Sequence, residues 1–193
     1  MVGDSFLVCP SWHDCPKTSR KIISLDPGQA FGVGTHETTR LAVFFLEELL
    51  LRKNISIKNC LDVGTGSGIL SIITAKLGVK NILGIDISEV AVKTARKNIK
   101  INDVYDKINI LEKNIKDNTD NNFQLVVSNL LPQLLLDLSS YLVDSISQNG
   151  YLIISGITGE KEKEIKNIFL NRSLKIREKS REGDWISFLM QKE

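Results

Sequence analysis

Leu61-Asp62-Val63-Gly64-Thr65-Gly66-Ser67-Gly68-Ile69-Leu70 is the stretch that decides how this chain folds. A short apolar run, Asn59 to Val63, enters a loop with glycine at every second position, and apolar residues at helical spacing follow from Ile69 to Leu77. Strand, glycine loop and helix in that order make a cradle for a nucleotide-like ligand. Glycines let the backbone approach the ligand closely, and the helix N-terminus offers N–H groups without partners inside the helix. A dinucleotide turn of the G-x-G-x-x-G kind would need its third glycine where Ile69 stands; here it falls one position early, at Gly68.

Outward from this turn, strand-like runs alternate with helical periodicity. Asn81–Asp86, Lys107–Glu112, Phe123–Asn129 and Gly150–Ser155 read as strands, and Glu89–Ile101, Leu134–Ile146 and Glu160–Leu170 as helices. Ser88 is placed to cap the helix that begins at Glu89. Upstream, Thr38–Leu51 carries Leu41, Phe44, Phe45 and Leu49 at helical spacing, and Ser5–Cys9 is one short strand ahead of a loop rich in proline and glycine. Repeated βα units dictate an α/β fold, a doubly wound parallel sheet with helices on both faces. The end of the chain breaks the pattern: Leu174–Lys179 and Trp185–Gln191, separated only by Ser180-Arg181-Glu182-Gly183-Asp184, predict an antiparallel hairpin. G-x-G-x-G spacing is the one associated with S-adenosylmethionine (SAM), and a terminal hairpin separates SAM-dependent methyltransferases from dehydrogenases. The expected organisation is a strand and glycine-rich linker or lid loop over 1–37, then a SAM-binding domain over 38–193.

Bulk composition narrows the class. The chain has 193 residues, enough for one full α/β domain and too few for two of ordinary size. A net charge of +2 argues against nucleic acid as a direct substrate. No apolar run approaches the ~20 residues that span a bilayer, and the N-terminus has no signal-peptide core, so the expectation is a cytoplasmic protein with no membrane partner. Cys9, Cys15 and Cys60 are too few for a disulfide framework. Cys9, His13 and Cys15 match no zinc spacing, so no metal is expected, and Cys60 reads as a small core residue.

Several positions carry chemistry. Asp86 ends its strand 22 residues after Gly64, where a carboxylate can accept both ribose hydroxyls of an adenosine; the plainer alternative is a cap for the next turn. Asp62, inside the first strand, is placed to anchor the loop's N–H groups without touching ligand. Asn114 lies where an adenine contact would fall, or is a solvated loop residue. Asn129 ends the fourth strand of the alternating series and faces the same crevice as Gly64, Gly66 and Asp86, because ligands of open parallel sheets sit beyond the C-terminal strand ends. Its carbonyl can hold an amine nucleophile and aim the lone pair at a methyl group. Thr38 and Thr39 open a helix and can bond the SAM carboxylate or ammonium. His36 admits a general-base reading and a structural one, the second preferred. Lys175, Arg177, Lys179 and Arg181 alternate along one strand; protection of a sheet edge is preferred there over an RNA or acidic-protein contact.

DPGQAFGVGTHETTR (26–40), LDVGTGSGIL (61–70), GIDIS (84–88), VVSNLL (126–131) and the closing SGI…GDWISFLMQK strongly resemble the bacterial ribosomal protein L11 methyltransferase family, and PSWHDCP (10–16) is similar to that family's segment ahead of the catalytic domain. The resemblance covers nearly the whole chain. It implies a seven-stranded class I methyltransferase fold and SAM contacts at Thr39, Gly64, Asp86 and Asn129, with Asn129 catalytic; Thr39 rather than Thr38 is the choice the resemblance makes. It implies SAM as cofactor and an amino group of a ribosomal protein as methyl acceptor. Alternatives are a small-molecule or other protein acceptor, or a SAM-binding module without turnover. The chain departs from the family at Val33, where a hydroxyl is lost, and at Leu130, beside the methyl-transfer site. Full-length members carry a separate N-terminal substrate-recognition domain, and Met1-Val2-Gly3-Asp4 starts about where its linker would end. Two expectations follow: a piece of a longer protein, or a single-domain relative with another substrate.

Overall fold

A computed structural model describes residues 2–26, 28, 34–118, 120 and 122–193. Of the glycine-rich loop over 26–39, Pro27 and residues 29–33 therefore lie outside the described residues. The chain runs β1 (Phe6–Pro10), β2 (Lys21–Leu25), α1 (Glu37–Glu47), β3 (Asn59–Val63), α2 (Ile69–Lys76), β4 (Asn81–Asp86), α3 (Glu89–Ile101), β5 (Ile108–Glu112), β6 (Phe123–Asn129), α4 (Pro132–Asp137), α5 (Ser139–Asp144), β7 (Ile146–Thr158), α6 (Glu162–Leu170), β8 (Leu174–Glu182) and β9 (Trp185–Lys192). The main sheet has the order β5-β4-β3-β6-β7-β9-β8. Pairings from β5 to β7 are parallel; β9 runs antiparallel to both β7 and β8. The seven-stranded, mostly parallel sheet and its closing hairpin are those expected from the sequence.

Strand alternation builds two cores. Cys60, Leu125, Val127, Ile153 and Leu189 point to the face that packs against residues of α1, α2 and α3. Their neighbours Leu61, Val63, Val126, Leu152, Ile154, Phe188 and Met190 point to the opposite face, with Leu135, Leu142, Ile165 and Phe169 of α4, α5 and α6. Successive residues of a strand point to opposite faces, so nearly continuous apolar strands are what a sheet covered on both sides requires. The order reverses at β3, whose neighbours are β4 on one side and β6 on the other. That is the topological switch point, where a crevice opens beyond the strand ends.

Four local expectations are corrected. The segment read as one helix over Leu134–Ile146 is two short helices, α4 and α5, broken at Leu138 with φ −103° and ψ 2°. Its last residue, Ile146, begins β7, thirteen residues long rather than the six from Gly150 to Ser155. The hairpin turn is only Gly183-Asp184, because β8 runs on to Glu182. Most consequential, the N-terminal loop contains a second strand: β2 pairs in parallel with β1, from Phe6 opposite Lys21 to Pro10 opposite Leu25. Phe6, Ile23 and Leu25 join the core on the α1–α3 face. Buried Glu47 of α1 holds the start of the chain by accepting from the N–H groups of Asp4 and Ser5, each at 2.8 Å.

The cysteine reading is also refined. Cys9 of β1 and Cys15 of the segment that follows it are paired as a disulfide, and Cys60 is buried in β3. On β8, the alternating basic side chains each face a carboxylate: Lys175 and Arg177 meet Glu193, Lys179 meets Glu162, and Arg181 meets Asp184. β8 is one of the two edge strands of the sheet. Exposed pairs of this kind contribute little stability, but charged side chains along an edge oppose pairing with another chain.

Candidate functional site

The glycine turn leaves β3 and lies against the tips of β4 and β6. Gly64 N–H and Thr65 N–H both donate to the Ile85 carbonyl, at 2.9 and 3.1 Å. Gly64 has φ +73°, and a Cβ there would sit 2.5 Å from Cδ2 of Leu130. Any larger residue there would be strained by the left-handed backbone and would have to push the Leu130 side chain aside.

Asp86, half-buried at the end of β4, does more than end a strand. Its Oδ2 accepts from Gly66 N–H at 3.0 Å, and its Oδ1 accepts from Ser88 N–H at 3.0 Å. The carboxylate thus caps the next turn and also fixes the middle of the glycine loop. A carboxylate has about four lone-pair sites, so acceptor capacity remains on the crevice side.

Asp62 lies wholly inside. Its Oδ2 accepts from the Thr65 hydroxyl at 2.8 Å, the Ser71 N–H at 3.1 Å and the Ser71 hydroxyl at 2.6 Å. It therefore anchors a loop side chain and the first turn of α2, rather than the loop's own N–H groups. Burial raises the Asp62 carboxyl above its ordinary value, against the lowering effect of the Ser71 and Thr65 donors. Burial likewise pushes the Cys60 thiol well up, with the Asp62 charge adding to it, so Cys60 stays protonated and inert.

Stability contributed by Asp62 is fully present below its unfolded value, near 3.8, and is lost as pH rises through the higher folded value. Asp62→Asn keeps an acceptor toward Ser71 and removes the titration. In urea unfolding between about pH 4 and pH 7, the variant should gain on the wild type as pH rises. A constant difference across that range would mean that Asp62 is ionised at no cost.

The other wall is built from α1, β6 and β7. His36 caps α1: its Nδ1 accepts from Thr38 N–H at 3.3 Å and lies 2.9 Å from the Thr38 hydroxyl. Its ring also meets Trp185 edge-on, with centroids 5.2 Å apart. Buried Thr39 accepts from Nδ2 of Asn129 at 3.4 Å, and the Ser155 hydroxyl donates to the Thr38 carbonyl at 2.7 Å. Arg40 extends the anchorage to β8 by a two-pronged bond from Nε and Nη2 to the Glu182 carboxylate, which holds its guanidinium above the ordinary value. Asn114 caps a single turn over Ile115–Asp117 by accepting from Lys116 N–H.

Thr39, Gly64, Gly66, Asp86 and Asn129 all line one crevice of about 970 Å³, together with His36, Thr38 and Asn114. Its rim is apolar and open: Ile87 is 74% exposed, Val90 48%, Leu131 66% and Leu134 43%. Two further wall residues, Gly156 and Trp185, lie in the closing SGI…GDWISFLMQK motif, but nothing in the residues themselves assigned them to the crevice. Among the described residues, no group of three or more His, Cys, Asp or Glu side chains could hold a metal ion, and no helix is long and apolar enough to cross a membrane.

A glycine cradle at the switch point, an acid ending the next strand and a closing β7-β9-β8 arrangement define the class I SAM-dependent methyltransferase fold. Within that class the chain belongs to the ribosomal protein L11 methyltransferase family, whose profile matches residues 1–193. It is 38% identical over 194 residues to a ribosomal protein L11 methyltransferase of Carboxydothermus hydrogenoformans, covering all of this chain and 62% of the relative. It is 34% identical over 193 residues to the Bacillus pumilus protein of that name, covering 99% and 61%. The chain thus spans about three fifths of the length of these curated relatives. The crystal structure of a ribosomal protein L11 methylase from Lactobacillus delbrueckii superposes with a TM-score of 0.88 at 35% identity, over 98% of this chain and 96% of that one. A magnesium protoporphyrin methyltransferase from Synechocystis, solved with bound SAM, shares the fold at a TM-score of 0.67 and 19% identity, over 81% and 83% of the two chains.

Proposed function

We propose that the crevice binds SAM and that the chain transfers its methyl group to an amino group of a ribosomal protein of the L11 kind. The observation that carries the reading is the convergence of Gly64, Gly66, Asp86, Thr39 and Asn129 on one crevice. Those groups suit the cofactor. Asp86 takes the ribose hydroxyls, the glycine loop lies along the adenosine and methionyl portions, and Thr39 holds the amino-acid end. The names of the relatives supply the acceptor class.

SAM supplies an electrophilic methyl carbon on a sulfonium. The chain's task is to hold an amine in line and keep water away. A lysine ammonium, of ordinary pKa ~10.4, must first lose a proton. The apolar rim at Leu131 and Leu134 desolvates the incoming side chain and favours the neutral amine. Asn129 gives one amide hydrogen to Thr39, which fixes the carboxamide and leaves its carbonyl oxygen to accept an N–H of the nucleophile. No side chain of the wall is required as a base, and the proton leaves through water.

Isotope transfer from labelled SAM into a ribosomal protein extract, followed by identification of the labelled band, tests the reading. Label in the L11-type protein is the expected result. Label confined to small molecules would transfer the activity to another acceptor, and SAM binding without label anywhere would reduce the chain to a binding module.

A further inference from the structure

We propose that Asn98 is a positioning residue for the cofactor: its buried carboxamide ties the glycine loop to Asp26, the residue that follows strand β2, coupling the N-terminal strand pair to SAM binding. The inference rests on the SAM reading of the crevice and goes beyond it, because Asn98 lies on α3 and does not line that crevice.

A carboxamide offers one acceptor oxygen and two N–H donors. At Asn98 all three are used. Oδ1 accepts from Asp26 N–H at 2.8 Å, while Nδ2 donates to the Asp26 carbonyl at 3.0 Å and to the Ser67 carbonyl at 2.9 Å. One turn later, Asn102 repeats the grip on Ser24: Oδ1 accepts from Ser24 N–H at 3.0 Å, and Nδ2 donates to the Ser24 carbonyl at 2.7 Å. The spacings match. Four residues of helix rise about 6 Å, and two residues of strand advance about 6.6 Å. The two asparagines therefore act as a second neighbouring strand for β2, whose other edge is paired with β1.

The two clamps differ in one bond. The spare amide hydrogen of Asn102 returns to the Asn98 carbonyl in its own helix, at 2.8 Å. That of Asn98 crosses to Ser67, between Gly66 and Gly68 of the cradle. The cradle also rests directly on α3: a Cβ on Gly68 would lie 3.2 Å from the Ala95 Cβ and 3.3 Å from its Cα. Asp26 is held a second time by Lys97, whose ammonium meets its carboxylate. So Asn98 is a single side chain that fixes both Asp26, directly after β2, and the loop that carries Gly66.

Asn102 supplies the internal control. Asn98→Ala and Asn102→Ala each leave the Asp26 or Ser24 backbone unclamped, and both should lower the unfolding temperature. Only Asn98→Ala should weaken SAM binding, by about tenfold in calorimetric titration, with Asn102→Ala within about twofold of wild type. Equal affinities in the two variants, or unchanged affinity in Asn98→Ala, overturn the proposal while leaving the SAM reading intact. Should Asn98→Ala not fold, amide exchange on the wild type decides: S-adenosylhomocysteine should slow exchange at Asp26 N–H and leave Ser24 N–H nearly unchanged. Equal slowing at both sites overturns it. A wild type that binds no SAM removes the SAM reading itself, and this proposal with it.

Discussion

Alanine at Asp86 is expected to weaken SAM binding by on the order of a hundredfold or more, with the fold retained. Two terms add. A hydrogen bond to a charged acceptor is worth about 1.5–3 kcal/mol, and two ribose hydroxyls would lose theirs. Each 1.4 kcal/mol or so is tenfold in affinity. The second term comes from the loop, because the Asp86 carboxylate also holds Gly66 N–H and Ser88 N–H. Without it, the cradle must be ordered by the ligand itself, at a further cost in affinity. Asp86→Asn keeps one acceptor oxygen and should fall between wild type and Asp86→Ala. Calorimetric titration with SAM measures both variants, and circular dichroism checks the fold. Affinity unchanged in Asp86→Ala would remove the ribose role and leave Asp86 as a turn cap.

The parts of this site that could be read from the sequence are those whose signal is local. A strand, a glycine turn and a helix are consecutive in the chain, and Asp86 follows at a fixed distance because one βα unit separates it from Gly64. Repeated βα units predict a sheet covered on both faces, and the two cores are filled from its nearly continuous apolar strands, successive residues pointing to opposite sides. What stayed hidden depends on contacts between distant residues. β2 carries a weak apolar pattern, Lys-Ile-Ile-Ser-Leu, and owes its place to β1 and to Asn98 and Asn102, which lie 72 and 78 residues from their partners. The break at Leu138 hides inside a helical periodicity that continues through it. Asp62 was placed beside the loop, yet which donors it would take, the Thr65 and Ser71 side chains, depends on how α2 docks. Gly156 is the clearest case. Nothing in Ile154-Ser155-Gly156-Ile157 says that another segment's backbone passes against it.

Gly156→Ala should lower methyl transfer by about a hundredfold while changing SAM affinity much less. Gly156 has φ +90° and sits where the pairing of β7 with β9 shifts register, between Ile154 and Ile157. A Cβ there would lie 2.1 Å from the Leu130 carbonyl oxygen and 3.0 Å from its carbon. Both are backbone atoms, so no side chain can swing aside, and the Leu130 peptide must retreat by roughly 1 Å, the order of misplacement that can cost a hundredfold in rate. That movement carries Asn129, whose Oδ1 would stand only 3.3 Å from the same Cβ. On the other side of the crevice, built on β3 and β4, Gly66 and Asp86 hold each other, and only the flexible Leu130 side chain touches the turn, at Gly64. The expected signature is therefore a fall in kcat at saturating SAM with little change in SAM affinity. Gly78→Ala separates strain from geometry: Gly78 has φ +112° and nothing within 4 Å of an added Cβ. It should cost about 1–2 kcal/mol of stability and leave transfer near the wild-type rate. If Gly156→Ala behaved like Gly78→Ala, the Leu130 peptide would not be what holds Asn129 at the point of transfer.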